Sequence, residues 1–513
     1  MNIPSCSLRV LVVLAHPRGT GSLCGALAKA YTEGARDAGA EVQYVDLSRL
    51  DFDPYVHFHS PKEQPLEPAL RDVKTAIEWA DHLVFIYPTW WGTFPALLKG
   101  FFDRVLLDGW AFEETSGGTG YRGLLGGRSA ELFTTMDTPG PIYSFAMRSP
   151  GRNALSRSTL GFCGVDVVRH TRFGVVKASN PDQRSRWIAK SRSLGLSLQH
   201  GVHTPLQRTW RRIMPWLAAL RLQFYPMTFI AYWVGALLAT RSGEIDLIAF
   251  AIGYAVLFAL EAATVFFNDI HDFESDVRNR FYSMFNGGSR VLVEGRLKPS
   301  ELRRGAIAAL ALAFFLSILL VIASDAPLRS SIFMLATLSL LAIFYTVPPI
   351  KLSHRSLGEI DVALTHSFGV LFCGYIFQNG QLAEPTPWIV SSLIFFAVLP
   401  GITLSAIPDA EADQAANKRT LAVRFSVNTA MSLAALFAAT AAILSATFDW
   451  LQLAPGTLSG IGVPAIIHGG FLIWFILRCR AKIREATRID ALMVASLGFT
   501  IWFAVVPLVN LLG

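Results

Sequence analysis

The chain is poor in charge and in cysteine. Only 16% of its 513 residues are Asp, Glu, Lys or Arg, 52% are hydrophobic, and mean hydropathy is +0.41. That balance excludes an ordinary soluble enzyme. The five cysteines (Cys6, Cys24, Cys163, Cys373 and Cys479) are scattered, with no CxxC and no metal spacing. They argue for core packing or a reducing compartment. No secretory signal is expected, because the first apolar run, LRVLVVLA at 8–15, is too short and leads straight into HPRG. It reads as a buried parallel strand. The net charge of +7 in a soluble chain would suggest nucleic acid. Here the basic residues fall in short loops between apolar runs, so a lipid bilayer is the expected partner and nucleic acid is not.

From Ser7 to about Leu196 strands and helices alternate. Expected strands are 8–15, 41–47, 82–88, 130–135 and 165–174, with helices near 22–38, 67–80, 94–107, 150–162 and 181–198. This is the pattern of an α/β doubly wound parallel sheet, which binds ligands beyond the carboxyl ends of its strands. After the first strand, AHPRGTGSLCGALAKAY places glycines and hydroxyls before a helix N-terminus, where N–H groups can hold a phosphate. After the third comes YPTWWGTFPALLKGFFDRVL, whose two tryptophans either pack in a core or cover something flat.

These stretches, with GWAFE at 109–113 and LGFCGVDV at 160–167, resemble the flavodoxin-like NAD(P)H:quinone oxidoreductases over roughly 190 residues. The resemblance implies a flavin (FMN or FAD), NADPH or NADH, and two-electron reduction of a quinone. It implies that His16, Ser22 and Leu23 meet the flavin phosphate side and that Pro88, Thr89, Trp90 and Trp91 pack beside the isoalloxazine. Thr134 and Thr135 would open the next flavin loop. That loop departs from the family, carrying Met136 and Asp137 where two glycines are usual. Tyr143 matches a tyrosine of the family's active site, but no histidine follows nearby. An active reductase and a scaffold that keeps only the fold both remain open.

A basic, aromatic stretch, QRTWRRIMPWLAALRLQ at 207–223, reads as an interfacial helix against anionic headgroups. Nine apolar segments follow, near 224–240, 247–267, 305–324, 328–346, 358–378, 387–407, 429–447, 459–477 and 491–511. Each is near the ~20 residues a bilayer requires. The loops at 268–304, 347–357, 408–428 and 478–490 hold 17 Lys or Arg, against Arg241 and Arg329 on the other side. The first set is therefore expected to be cytoplasmic, with the soluble domain on the same side of a bacterial-type cell membrane.

Two acidic clusters fall in those loops. In FFNDIHDFESDVRNR, positions 269, 272 and 276 gather within about 60° on a helix, with Glu261 deeper on the same stripe. Asp409 and Asp413, in IPDAEADQAANKRTLAVRF, share a helical face and are followed by Lys418 and Arg419. Either cluster alone also reads as a solvated helix end. Together, oxygen ligands with nearby cations describe a magnesium–diphosphate site.

The motifs NDxxDxxxD (Asn268, Asp269, Asp272, Asp276) and DxxxD (Asp409, Asp413) resemble those of the UbiA superfamily of intramembrane prenyltransferases. FNGGSRVLVEGRLKP at 285–299 and YTVPPIKLSHRSLGE at 345–359 resemble the branch that prenylates dihydroxynaphthoate and related quinol precursors. The resemblance implies an all-α membrane bundle of nine transmembrane helices, magnesium and an isoprenyl diphosphate donor. It assigns the six motif residues to the metal. Asn268, Arg290, Lys351, Lys418 and Arg419 would meet the diphosphate. Tyr345 and Lys351 would help hold the diphosphate or the allylic cation. Glu359, Asp361 and His366 are candidates to orient or deprotonate an aromatic quinone-derived acceptor.

The expected organisation is thus 1–200 oxidoreductase, 201–223 linker helix and 224–513 prenyltransferase. A fusion of this kind would supply quinol to the transferase. A terpene cyclase of the same superfamily, a transporter with broken helices and a non-enzymatic scaffold are the rival readings.

Overall fold

Val10 to Leu14 are wholly buried, as a central parallel strand with helices on both faces requires. The computed structural model describes residues 7–114, 121–240, 244–324, 326–483 and 485–513. Cys6 and Arg241 lie outside them. The chain divides into two compact units, Met1–Thr209 and Trp210–Gly513.

In the first unit, strands β1 (Arg9–Leu14), β2 (Glu41–Asp46) and β3 (His82–Pro88) alternate with helices α1 (Leu23–Asp37), α2 (Pro68–Trp79) and α3 (Ala96–Val105). A small antiparallel pair, β4 (Phe112–Glu114) and β5 (Tyr121–Gly123), precedes β6 (Ser129–Thr135). Then come α4 (Pro150–Asn153), a π-helical continuation over Ala154–Gly161, β7 (Asp166–Phe173) and α5 (Pro181–Leu196). The five long strands are parallel in the order β2-β1-β3-β6-β7. Chain order reverses between β1 and β3, which makes their carboxyl ends the expected crevice. Alternation sorts the two faces. Val10, Val12 and Leu14 pack with Leu27 and Tyr31 of α1, while Leu11 and Val13 pack with Leu70 of α2 and Leu98 of α3.

The second unit is helical. Helix α6 (Pro205–Leu220) straddles the division between the units and is followed by α7 (Tyr225–Ala239), α8 (Leu247–His271), α9 (Phe273–Arg278), α10 (Pro299–Ala323) and α11 (Leu328–Phe344). Next are α12 (Gly358–Leu364), α13 (Val370–Phe377) and α14 (Pro385–Ser405), with a π-helical turn at Thr365–Gly369 joining α12 to α13. The short α15 (Ala410–Ala415) and α16 (Leu421–Phe425) lead into α17 (Val427–Trp450), α18 (Gly462–Arg480) and α19 (Asp490–Leu512).

All nine expected apolar segments are helical, but not all have the length to cross a bilayer. Seven helices among the described residues are long and apolar enough, counting Gly358–Phe377 as one. Helices α6 and α7, bent by 61°, make an eighth if taken together, and α11 has 17 residues. The 15 residues of α7 rise only about 22 Å, short of the ~30 Å hydrocarbon layer. Close helix contacts use small residues. A Cβ at Gly235 of α7 would lie 2.0 Å from the Leu371 carbonyl oxygen, and one at Gly374 of α13 would lie 2.0 Å from that of Tyr232. Phe314, Phe315, Ile322 and Phe333 point outward and exposed, as an apolar solvent permits.

Candidate functional site

The acids gather where α8 ends. Asp269 is in the last turn of α8, Asp272 links α8 to α9, and Asp276 lies in α9. Asp409 caps α15 and Asp413 lies within it. Lys418 joins the two sets: its Nζ stands 2.7 Å from Asp272 Oδ2 and 3.5 Å from Asp413 Oδ1. Ser275 Oγ donates to Asp413 Oδ1 at 2.6 Å, and Asn279 and Asn286 both donate to Asp409 Oδ1. Ser289 donates its N–H to Asp269 Oδ1 at 3.1 Å and its hydroxyl to Oδ2. Asn268 adjoins this group on α8, half-buried.

Burial sets the electrostatics. It pushes the Asp276 carboxyl up to about 8, with Asp272, Asp269 and Asp409 adding repulsion and Lys418 opposing. It pushes Asp413 up to about 7 and raises Asp409, against the attraction of Lys418 in both cases. Burial also opposes the Lys418 ammonium, but Asp272 and Asp413 outweigh it and hold that group charged. Tyr345, at the end of α11, has its phenol raised by burial, against the pull of Lys418.

The connecting loops press against these carboxylates. Gly288 has φ +68°, and a Cβ there would lie 2.1 Å from Asp276 Oδ2 and 3.2 Å from Asp269 Oδ1. Arg290, also left-handed at φ 64°, stacks its guanidinium 4.1 Å from the Tyr282 ring centroid and donates to the Asp276 carbonyl. A cavity of about 350 Å³ opens beside the cluster, lined by His271, Asp272, Lys351, His354, Arg355 and Lys418 among others. Arg419 stays exposed at the surface, and its backbone binds His354 and Ser356.

The acceptor-side candidates divide. Leu421 N–H donates to Glu359 Oε1 at 2.9 Å, which ties α12 to α16. Asp361 is buried, and among the described residues its Oδ1 has no hydrogen-bond partner. His366 Nδ1 donates to the Val362 carbonyl at 3.0 Å.

These residues fit a hard cation in a specific sense. The donors are all oxygen, and Asp272 Oδ1 is buried without a hydrogen-bond partner among the described residues. Among the described residues, no group of three or more His, Cys, Asp or Glu is placed to hold a metal ion by itself. Magnesium typically takes one or two carboxylates together with substrate phosphates.

In the first unit, the carboxyl ends of β1, β3 and β6 meet in register, with Tyr87 beside Thr134 and Pro88 beside Thr135. Ser22 caps α1: its Oγ accepts from Gly25 N–H at 3.0 Å and donates to the Gly19 carbonyl at 2.7 Å. Leu23 begins that helix. His16 accepts from Arg18 N–H and lies edge-on to Trp90, its pKa lowered by burial and by Arg18. Thr89 N–H donates to the Thr135 carbonyl, and Trp90 and Thr93 exchange backbone bonds across a tight turn. Thr134 Oγ1 lies 3.1 Å from His170 Nε2, and Thr135 Oγ1 lies 3.3 Å from Cys24 Sγ.

Trp91 is 102% exposed and Phe145 85% exposed. Two open aromatic faces near the strand ends are the chemistry of a flat-ring site, so the residues fit a flavin. Tyr143, by contrast, is buried; its hydroxyl donates to the Gly92 carbonyl at 3.3 Å and accepts from Arg152 N–H at 3.2 Å. It braces the tryptophan turn.

The UbiA prenyltransferase family model matches residues 228–504, more than half of the chain. The chain belongs to the UbiA prenyltransferase family. A flavodoxin-like fold model matches residues 8–193. Over 190 residues, 31% of this chain and 78% of the relative, it is 30% identical to a ribosyldihydronicotinamide dehydrogenase [quinone] of Pongo abelii. It is 26% identical over 182 residues to an uncharacterized NAD(P)H oxidoreductase of Haemophilus influenzae, covering 35% of this chain and 89% of that one. The structure of a UbiA homolog from Archaeoglobus fulgidus bound to DMAPP and Mg2+ covers 58% of this chain and 98% of its own, at TM-score 0.45 and 17% identity. The protein is thus a UbiA prenyltransferase with an N-terminal flavodoxin-like NAD(P)H quinone oxidoreductase domain.

The sequence reading of this UbiA chain passed over Ser275, Asn279, Asn286 and Ser289. All four lie within motif stretches it quoted. The available signal was a set of neutral donors spaced closely among acids that need partners once buried.

Proposed function

We propose that the membrane domain transfers an isoprenyl group from a prenyl diphosphate to an aromatic quinol-type acceptor, with magnesium. We propose further that the N-terminal domain uses a flavin and NAD(P)H to reduce a quinone, the acceptor's own precursor. The observation that carries the reading is the meeting of Asp272, Asp413 and Lys418 from segments far apart in the chain. A magnesium ion, when bound, would lower the charge on the departing diphosphate.

Asp269, Asp272, Asp276, Asp409 and Asp413, with Asn268, would hold the metal–diphosphate group. Lys351, Lys418 and Arg290 would supply cationic donors to its oxygens. The C–O bond to the diphosphate breaks and leaves an allylic cation. An electron-rich ring carbon attacks that cation, a C–C bond forms, and the ring proton departs. Asp361 Oδ1 and Glu359 Oε2 are both buried without a hydrogen-bond partner among the described residues, so both carboxyls are candidates to receive or relay that proton.

A quinone ring is electron-poor and attacks such a cation weakly, whereas the two-electron-reduced quinol attacks well. When bound beside Trp90 and Trp91, a flavin would supply the two-electron chemistry. One tether raises the local concentration of the quinol. The basic loops support a cytoplasmic placement of both the acids and the N-terminal domain. Nine membrane passes remain the proposal, with α7 and α11 as the two short ones.

The test supplies quinone, prenyl diphosphate and magnesium to the purified full chain, with and without NAD(P)H. Product should appear only with reductant. Equal product without it sinks the coupling. Asp272→Ala with full turnover sinks the prenyltransferase site.

A further inference from the structure

Asp409 is held differently from the other acids. Asp272 and Asp413 face an ammonium, but the Asp409 Oδ1 atom receives two neutral amides: Asn279 Nδ2 at 2.6 Å and Asn286 Nδ2 at 2.9 Å. Both asparagines are 5% exposed. Their orientation is locked from the other end. Asn279 Oδ1 accepts the Phe281 N–H at 2.8 Å, and Asn286 Oδ1 accepts the Ser283 hydroxyl at 2.6 Å. With each amide oxygen committed to a donor, each NH₂ group must face the carboxylate. Ser283 is itself fixed, since its backbone N–H donates to the Asn286 carbonyl at 3.3 Å.

The two amides fill the acceptor positions of Oδ1, and the Gly287 N–H also bonds this carboxylate, so its direction is set by the 279–287 loop. Both amides are neutral, so they orient the carboxylate without adding to the charge attraction that Lys418 already exerts on it. We propose that Asn279 and Asn286 are positioning residues that fix how the Asp409 carboxylate is presented to a metal ion. The loop after the first acidic motif thereby sets the geometry of the second. This rests on the metal–diphosphate reading above. Magnesium demands near-ideal octahedral geometry, so the aim of a carboxylate matters, and outer partners of metal ligands tune affinity.

The test uses the full chain in detergent, with Mn2+ as the spectroscopic probe in the presence of inorganic pyrophosphate. The variants are Asn279→Ala, Asn286→Ala, Asn279→Asp, Asn286→Asp, Ser283→Ala and Asp409→Ala. Mn2+ affinity is read by electron paramagnetic resonance, and the magnesium dependence of prenyl transfer is read beside it. Each Asn→Ala variant should bind Mn2+ roughly 10–100-fold more weakly. The Asp variants should be worse than the Ala variants, because a carboxylate of the same size repels Asp409. A packing role predicts the reverse order, so Asp milder than Ala overturns the proposal. Ser283→Ala, which removes the hydroxyl on Asn286 Oδ1 without touching a bond to Asp409, should weaken binding by freeing the Asn286 amide. It stands in should an Asp variant fail to fold, and unchanged affinity there counts against the proposal. If Asp409→Ala binds Mn2+ as the parent does, the metal–diphosphate reading itself fails. If Asp409→Ala loses binding while the asparagine variants keep it, only the positioning role fails.

Discussion

Lys418 Nζ stands 2.7 Å from Asp272 Oδ2, with side-chain exposures of only 12% and 5%. Removing the lysine leaves a buried carboxylate without its counter-ion, a change that typically costs about 3–5 kcal/mol. Lys418→Met should therefore lower Tm in magnesium-free detergent as well as abolish prenyl transfer. A differential scanning measurement with chelator present checks this. An unshifted Tm would show that the pair does not hold α15 against α8 and α9.

Gly288 offers a local test of crowding at the acids. Its left-handed backbone and a Cβ position 2.1 Å from Asp276 Oδ2 leave no room for a methyl group. Gly295 is the matched control: its φ is +66° and nothing lies within 4 Å of its Cβ position. Both alanine variants pay the backbone strain, but only Gly288→Ala pays overpacking as well, about 1–3 kcal/mol. Urea unfolding of the two variants should differ by that amount, and Gly288→Ala alone should lose prenyl transfer. Equal behaviour would mean that the loop yields freely.

In the first unit, Trp91 and Tyr143 should separate binding from stability. Trp91 is wholly exposed, so Trp91→Ala should change stability by less than about 0.5 kcal/mol. It should nevertheless weaken flavin retention or raise the KM for quinone. Tyr143→Phe removes the hydroxyl that joins Gly92 to Arg152 and should cost about 0.5–1.5 kcal/mol. Flavin stoichiometry after gel filtration, paired with thermal melts, distinguishes the two. A Trp91→Ala variant with native flavin content and native KM removes Trp91 from the site.

A buried acid and a buried histidine give the same unit two opposed pH dependences. Glu131, in mid-sheet, lies 3.3 Å from Arg169 Nη1 and 3.9 Å from His82 Nε2, with the Tyr31 phenol beside it. Burial raises its carboxyl from 4.5 to about 7, Arg169 opposing. Its folded form prefers the proton, so its contribution is full below pH 4.5 and declines as pH rises to about 7. Burial lowers His82 from 6.5 to about 3. Its folded form rejects the proton, so its contribution is full above pH 6.5 and is lost as pH falls towards 3. Glu131→Gln should remove the decline between pH 4.5 and 7 while leaving the acid-side loss in place. Urea midpoints of this unit, read by limited proteolysis across that range, test it. Parallel curves for variant and parent would refute the assignment.

Local pattern accounts for the elements. Every expected strand of the first unit lies within two residues of an observed one at each end, because buried parallel strands are short apolar runs bounded by turn residues. The acid stripe at 269, 272 and 276 was likewise legible, since helical spacing alone puts those residues together. Span number was less so. Hydropathy places two of these segments at 224–240 and 328–346, within two residues of α7 and α11, but does not say whether 15 or 17 helical residues reach across a bilayer.

The sequence by itself determined which residue types were on offer: oxygen ligands, cations and exposed aromatics, each at a spacing set by local geometry. Only the tertiary structure decided their partners. Lys418 could have met any nearby acid, and packing of α15 against α9 selected Asp272 and Asp413. The same packing turned Asn279 and Asn286 from loop residues into donors on Asp409, and sequestered Tyr143 beneath the tryptophan turn. Hydrogen bonds act over about 3 Å, so contacts between distant segments depend on how helices and loops come to rest together. Spacing along the chain carries no record of that.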